Sequence, residues 1–238
     1  MKHTIHTSRT IMYAELSEVM NFYEEGSDYF SIMEDNVFSK RTASNKKKTI
    51  KYLTQLYGFD RDNERFRAFE EYWDRAGEDS RPLLTFIYAL SRDYLLRESV
   101  GFVKGAPYNQ KASVEDFEAN ISRHHPERFT PKTLRSVAQN LASSWKQGGY
   151  IQGKIKSIRR RNPPDYLTTA FAFLMAYLDG LRGDFMLNHI CVRCLDASRE
   201  ELLALLKSAA DRDFLQYQHS GATMIVTFEK YTNAVENV

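Results

Sequence analysis

The stretch from Thr130 to Gly149 reads TPKTLRSVAQNLASSWKQGG, and each part of it specifies an amphipathic helix. Thr130 offers a side-chain oxygen to the orphan N–H groups of a first turn. Pro131 suits the first helical position, where its missing N–H costs nothing. Gly148-Gly149 closes the helix after Gln147. At about 100° per residue, Leu134, Val137, Ala138, Leu141 and Trp145 cluster into one buried stripe. Lys132, Arg135, Gln139, Ser143 and Lys146 gather on the opposite face, which carries positive charge, amides and a hydroxyl but no acid. Such groups contact phosphates and base edges.

Working outward, Tyr150 to Ile158 reads as a strand, with Ile151 and Ile155 on one side and Lys154 and Lys156 on the other. Arg159-Arg160-Arg161 follows, and Pro163-Pro164 stops the run. Upstream, a short helix from Ser113 to Arg123 ends before Pro126. Downstream, Asp165 to Gly180 spells a strongly apolar helix. Another helix runs from Ser198 to Arg212, with Ser198 as its cap and Glu200 and Glu201 in its first turn. Phe214 to Tyr217 and Thr223 to Phe228 flank His219-Ser220-Gly221-Ala222, a β-hairpin signal. Helix followed by strand or hairpin thus occurs twice, in the manner of a winged helix.

The first half reads as helix after helix. Met12, Leu16, Val19, Met20 and Tyr23 make one stripe ended by Gly26. A second helix spans Thr42 to Tyr57 and stops at Gly58, and a third covers Asn63 to Arg75. Pro82 opens a fourth, apolar helix through Leu84, Ile87, Leu90, Tyr94 and Leu95. Gly101, Gly105, Pro107 and Asn109 interrupt the pattern. That interruption divides an N-terminal helical subdomain, residues 1–110, from a C-terminal one, residues 111–238. The fold class expected is a mainly α multi-helix bundle with short β-hairpin, winged-helix-like elements in its C-terminal half.

At 42% hydrophobic and 27% charged residues, the composition is that of a globular chain rather than a disordered one. Two cysteines do not make a disulfide framework. Met1 to Thr10 is polar and carries no secretory signal. The most apolar run, Leu167 to Leu178, is far short of the roughly 20 residues a bilayer requires. A cytoplasmic protein without a membrane span is expected.

Charge is the most informative property. Between Arg128 and Pro164 stand nine Lys or Arg and no Asp or Glu; with the chain total at +2, the other residues must sum to −7. Segregation of this kind builds an electropositive surface, and nucleic acid is the commonest polyanion to meet one. A second acid-free segment, Asn36 to Phe59, holds Lys40, Arg41, Lys46, Lys47, Lys48 and Lys51. Lys47, Lys48, Lys51 and Gln55 share a helical face opposite Ile50, Leu53 and Tyr57, while Lys46 lies nearer the apolar side.

No catalytic centre emerges. Cys191 and Cys194 form a CxxC near His189, but a structural zinc site wants four ligands and no second pair follows; buried free thiols are the reading. His124-His125 stands at a helix end, and Glu24-Glu25 and Glu70-Glu71 are solvated helix faces. Neither a nucleophile elbow nor a phosphate-binding glycine loop is present. No metal or cofactor is expected.

The run Thr130-Pro131-Lys132-Thr133-Leu134-Arg135, with Asn140-Leu141, Ser144-Trp145 and Gly149-Tyr150-Ile151, resembles the BrxA family of bacterial BREX phage-defence systems. Arg92-Asp93-Tyr94, Arg97-Glu98, Lys40-Arg41-Thr42 and the Gly221 hairpin are similar too, so the resemblance covers about Thr10 to Phe228. It implies a fold similar to the helical antitermination factor NusB, and a non-enzymatic component that binds double-stranded DNA beside other BREX proteins. It carries over no catalytic motif.

From charge and helix projection alone, the nucleic-acid contacts expected are Lys47, Lys48, Lys51, Lys132, Arg135, Gln139, Lys146, Lys154, Lys156, Arg159, Arg160 and Arg161. Lys132 and Arg135 would lie in a groove or on phosphates, and Lys154, Lys156 and Arg159 to Arg161 would clamp the backbone. Reversing charge at Arg159, Arg160 and Arg161 together should then weaken binding at least about tenfold at nearly unchanged melting temperature. RNA in place of DNA, or an acidic protein partner docked on the basic surface, remain as alternatives.

Overall fold

Helix α10, Tyr166–Leu178, is buried from Leu167 to Tyr177. A helix apolar on all sides must be surrounded. Its ends are set locally: Asp165 accepts from the Thr168 N–H at 2.7 Å, and the Asp165 N–H donates back to Thr168 Oγ1 at 3.0 Å. Around α10 pack α4 (Glu64–Arg75), α5 (Arg81–Arg92), α11 (Ile190–Arg193) and α12 (Arg199–Ala210). This arrangement comes from a computed structural model that describes residues 3–153, 156–220 and 223–234.

The remaining helices are α1 (Tyr13–Asn21), α2 (Tyr29–Glu34), α3 (Ala43–Tyr57), α6 (Tyr94–Glu98), α7 (Val100–Gly105), α8 (Val114–His124) and α9 (Pro131–Gln147). The only strands among the described residues form two antiparallel hairpins: β1 (Ile151–Gln152) with β2 (Ile158–Arg159), and β3 (Gln216–Ser220) with β4 (Thr223–Thr227). The fold is therefore mainly helical, with its hairpins in the C-terminal half. Among the described residues no helix is long and apolar enough to cross a membrane.

Most helix limits fall where their capping residues put them. Thr42, Asn63, Ser113, Thr130 and Ser198 each accept from a first-turn N–H. Three elements differ from the sequence expectation. The helix expected from Pro82 through Leu95 is broken at Asp93, whose extended backbone lets its carboxylate cap α6 through the Leu96 N–H at 3.1 Å. The interruption expected from Gly101 begins later, because Val100–Gly105 is helical. The single strand expected over Tyr150 to Ile158 is instead a tight hairpin, with Ile151 opposite Arg159 and Gln152 opposite Ile158. Gly153, at a φ of 98°, opens the turn, and Lys154 and Ile155 lie outside the described residues. Helix α2, the 3-10 turn Gly183–Asn188 and α11 are short elements that periodicity did not mark.

The two glycines after α9 serve different ends. Gly149 takes a φ of 90°, which favours a residue without Cβ. Gly148 has an ordinary φ of −77° but lies against Phe86, where a Cβ would come within 2.6 Å of the ring. Phe86 is itself wedged between Trp145 and Tyr150, at centroid distances of 4.6 and 5.2 Å. Gly148→Ala should therefore cost roughly 1–3 kcal/mol by overpacking, read as a lowered urea midpoint at unchanged slope. An unchanged midpoint would mean that Phe86 has room to move.

Candidate nucleic-acid interface

Helix α9 carries its faces as its sequence dictates. Val137, Ala138, Leu141 and Trp145 are buried, Leu134 is half-buried, and Lys132, Arg135 and Gln139 are exposed, with Lys146 half-buried. Helix α8 runs alongside and supplies the acids that the window itself lacks. Arg135 Nη1 donates to Glu115 Oε1 at 2.7 Å and to Glu118 Oε1 at 3.3 Å. The bond from Arg135 is the main reason that the Glu115 carboxyl is lowered to about 2. Lys132 and Lys146 have no carboxylate partner among the described residues.

The arginine triplet divides three ways. Arg159 is only 1% exposed, so it is corrected from a backbone clamp to a structural residue. Its Nη2 donates to Asp196 Oδ1 at 2.6 Å and its Nε to Val103 O at 3.1 Å. Lys104 Nζ reaches the same carboxylate oxygen at 2.7 Å, and the Asn162 N–H takes the other at 2.9 Å. Burial alone would raise the Asp196 carboxyl; the bonds from Arg159 and Lys104 outweigh it and hold it below its ordinary value. Arg161 is exposed but paired to Glu201 Oε1 at 2.5 Å. Arg160 is exposed and bonds to Asn109 Oδ1. Lys156 is exposed without a carboxylate partner among the described residues. Lys154 lies outside them.

The second basic segment keeps more free charge. Lys40 pairs with Glu15 at 2.6 Å and Lys46 with Glu34 at 2.8 Å. Lys47, Lys48 and Lys51 stand exposed on α3 with no carboxylate partner among the described residues. Gln55, on the same face, lines a cleft of about 420 Å³ shared by Arg65, Arg92, Arg97, His3, Asn63 and Ser91. Sequence patterning passed over these arginines because Arg92 and Arg97 are each followed by an acid. The fold turns both acids elsewhere: Asp93 lies 2.9 Å from His6 Nδ1, and Glu98 lies 2.6 Å from His125 Nε2.

One constellation has the order of a nucleophilic triad. His6 Nδ1 is 2.9 Å from Asp93 Oδ2, and His6 Nε2 is 2.9 Å from Ser144 Oγ. All three side chains have zero exposure. The Ser144 hydroxyl also donates to Asn140 O at 2.9 Å and accepts from the Ile11 N–H at 3.0 Å. With its proton and lone pairs so engaged, Ser144 is a pin between the N-terminal segment and α9 rather than an accessible nucleophile. Cys191 and Cys194 are buried free thiols, as their context suggested. Burial raises both, Cys194 to about 12, which disfavours the reactive thiolate. Among the described residues no three His, Cys, Asp or Glu side chains are grouped to hold a metal.

Comparisons with protein-family models, with curated proteins and with solved structures find no match to this chain.

Proposed function

We infer that this protein binds double-stranded DNA through its phosphates, with little base preference and without catalysing a reaction. The observation that carries this reading is the α3 face, where Lys47, Lys48 and Lys51 stand exposed with no carboxylate partner among the described residues. Lys132, Lys146, Lys156 and Arg160 add cations from α9 and the β1–β2 hairpin. Resemblance to the BrxA family supports a component of a BREX phage-defence system; a place in the cytoplasm rests on the apolar run Leu167 to Leu178 being too short to span a bilayer. Gln139 remains the side chain on α9 best suited to an amide contact with a base edge or sugar.

Binding dominated by phosphates is steeply salt-dependent, because each neutralised phosphate releases counterion. Fluorescence anisotropy on a labelled duplex across about 50–200 mM salt should show affinity falling by about 10³ or more, as 6–10 contacts require. Replacing Lys47, Lys48 and Lys51 by Gln should weaken binding at least about tenfold. The log–log salt slope should flatten by about 0.9 for each lysine that met a phosphate. Exposed substitutions of this kind leave the melting temperature nearly unchanged. Absence of wild-type binding at about 50 mM salt would overturn the reading and turn the basic face toward an acidic protein.

A further inference from the structure

We propose that the cleft between α3, α4 and the α5–α6 junction is a binding site for a phosphoryl oxyanion. Four helices and the N-terminal segment supply its polar and basic lining. Gln55 comes from α3, Asn63 and Arg65 from the start of α4, and Ser91 and Arg92 from the end of α5. Arg97 comes from α6, and His3 from the N-terminal segment. That segment is anchored there, since the Tyr94 N–H donates to His3 O at 3.1 Å.

The charge balance favours an anion. The cleft is lined by three guanidinium groups and one carboxylate, Asp179. Asp179 is already engaged twice, by Arg65 and by His189 Nε2 at 2.7 Å. Arg92 and Arg97 have no carboxylate partner among the described residues. Both are nevertheless held in place. Arg97 Nη1 donates to Ser91 O at 3.1 Å, which leaves its other N–H groups available.

Arg92 lies over the Tyr88 ring at 5.8 Å, and its Nε is buried with no hydrogen-bond partner. Gly58, the C-cap of α3, lies beside it: a Cβ there would be in ordinary contact, 3.5 Å from Arg92 Nη2. Planar forks with unused donors match phosphate oxygens better than ammonium groups do.

The remaining lining gives the ligand class. Gln55 and Asn63 supply amide groups, while the Ser91 hydroxyl is already donated to Tyr88 O at 2.7 Å and gives an anion no proton. Asn63 Oδ1 is committed to the Arg65 and Phe66 N–H groups, so its amide presents donors. None of the lining residues is a Trp, Tyr or Phe, so a base finds no large aromatic face there. It is built for the phosphoryl group itself. The same chemistry arrives on a free phosphate or on a nucleic-acid backbone, and Lys47, Lys48 and Lys51 lead along α3 to Gln55 at its rim. The backbone source alone rests on the DNA reading above.

The test uses the full chain at low salt, with inorganic phosphate in one arm and duplex DNA in the other. Calorimetry should show one phosphate per chain, weakened at least about tenfold by Arg97→Gln and by Arg92→Gln. Asp179→Asn should tighten phosphate severalfold, a gain that misfolding cannot imitate. If free phosphate does not bind but Arg92→Gln and Arg97→Gln each weaken the duplex at least about tenfold, with circular dichroism unchanged, the ligand is a backbone phosphate. Phosphate silent and duplex affinity intact in both variants would overturn the cleft while leaving the DNA reading standing. No duplex binding by the wild type, with phosphate still bound, would overturn the DNA reading alone.

Discussion

Arg159→Glu is expected to leave no cooperatively folded protein at 37 °C, whatever it does to a ligand. Arg159 is buried, and its guanidinium bonds to Asp196, Val103 O and Arg160 O, with Tyr150 O at 3.4 Å. It also lies between the Tyr108 and Tyr150 rings, at 5.1 and 5.2 Å. Removing one partner of a buried ion pair costs roughly 3–5 kcal/mol. Glutamate goes further, placing a second carboxylate beside Asp196 and leaving backbone carbonyls without their donor.

Against a total stability of about 5–15 kcal/mol, that loss is decisive. Arg159→Met keeps volume and omits the repulsion. Lys104 still neutralises Asp196 in that variant, so a fall of roughly 6–12 °C in melting temperature is expected, at about 2–4 °C per kcal/mol. The double variant Arg160→Glu with Arg161→Glu should melt within about 4 °C of wild type, because exposed ion pairs are worth about 0–1 kcal/mol. Thermal melts by circular dichroism separate the three. If Arg159→Glu melts with the wild type, Arg159 faces solvent and the clamp reading of the whole triplet returns.

The triplet shows what a charge count along the chain misses. Helix α9 was legible because its instructions are local: Thr130 caps it, Pro131 starts it, and the apolar residues recur at helical spacing. Ser198 and the pairing of β3 with β4 were legible for the same reason. The basic face was only half legible, because ion pairs form across space. Arg135 finds Glu118 and Glu115, 17 and 20 residues away; Arg159 finds Asp196 at 37, and Arg161 finds Glu201 at 40. A window free of acids in sequence is thus partly neutralised by helices folded against it.

The converse error hid Arg92 and Arg97. Their neighbouring acids cancel them along the chain, yet those acids turn to His6 and His125 in the fold. His6 itself gave no signal, since a histidine in a polar segment has no periodicity to betray that it is buried.

Asp93→Ala should be among the most damaging single changes, and the reason fixes its pH dependence. The carboxylate receives Thr4 Oγ1 at 3.0 Å, the Ile5 N–H at 2.8 Å and the Leu96 N–H at 3.1 Å, and lies 2.9 Å from His6 Nδ1. Burial by itself would raise its pKa. The charge and hydrogen bond of His6, with the Ile5 and Leu96 N–H groups, outweigh that and hold it at about 2, against an ordinary 3.8. A carboxyl depressed on folding stabilises the protein fully above its unfolded pKa. That contribution is lost as pH falls through the folded one.

Asp93 should therefore contribute about 2 kcal/mol at neutral pH, lost between roughly pH 4 and pH 2. Asp93→Ala, which also strips the cap from α6 and strands His6, should cost roughly 3–5 kcal/mol. Asp93→Asn keeps the shape, removes the titration and flattens the acid limb of a stability–pH curve measured by urea unfolding. An acid limb identical in Asp93→Asn and wild type would show that the charge on Asp93 contributes nothing. Because Ser144 completes this chain of contacts from α9, loosening it also frees the helix that presents Lys132 and Gln139. Duplex affinity in Asp93→Asn should then fall with stability, without the flattening of the salt slope that loss of a phosphate contact produces.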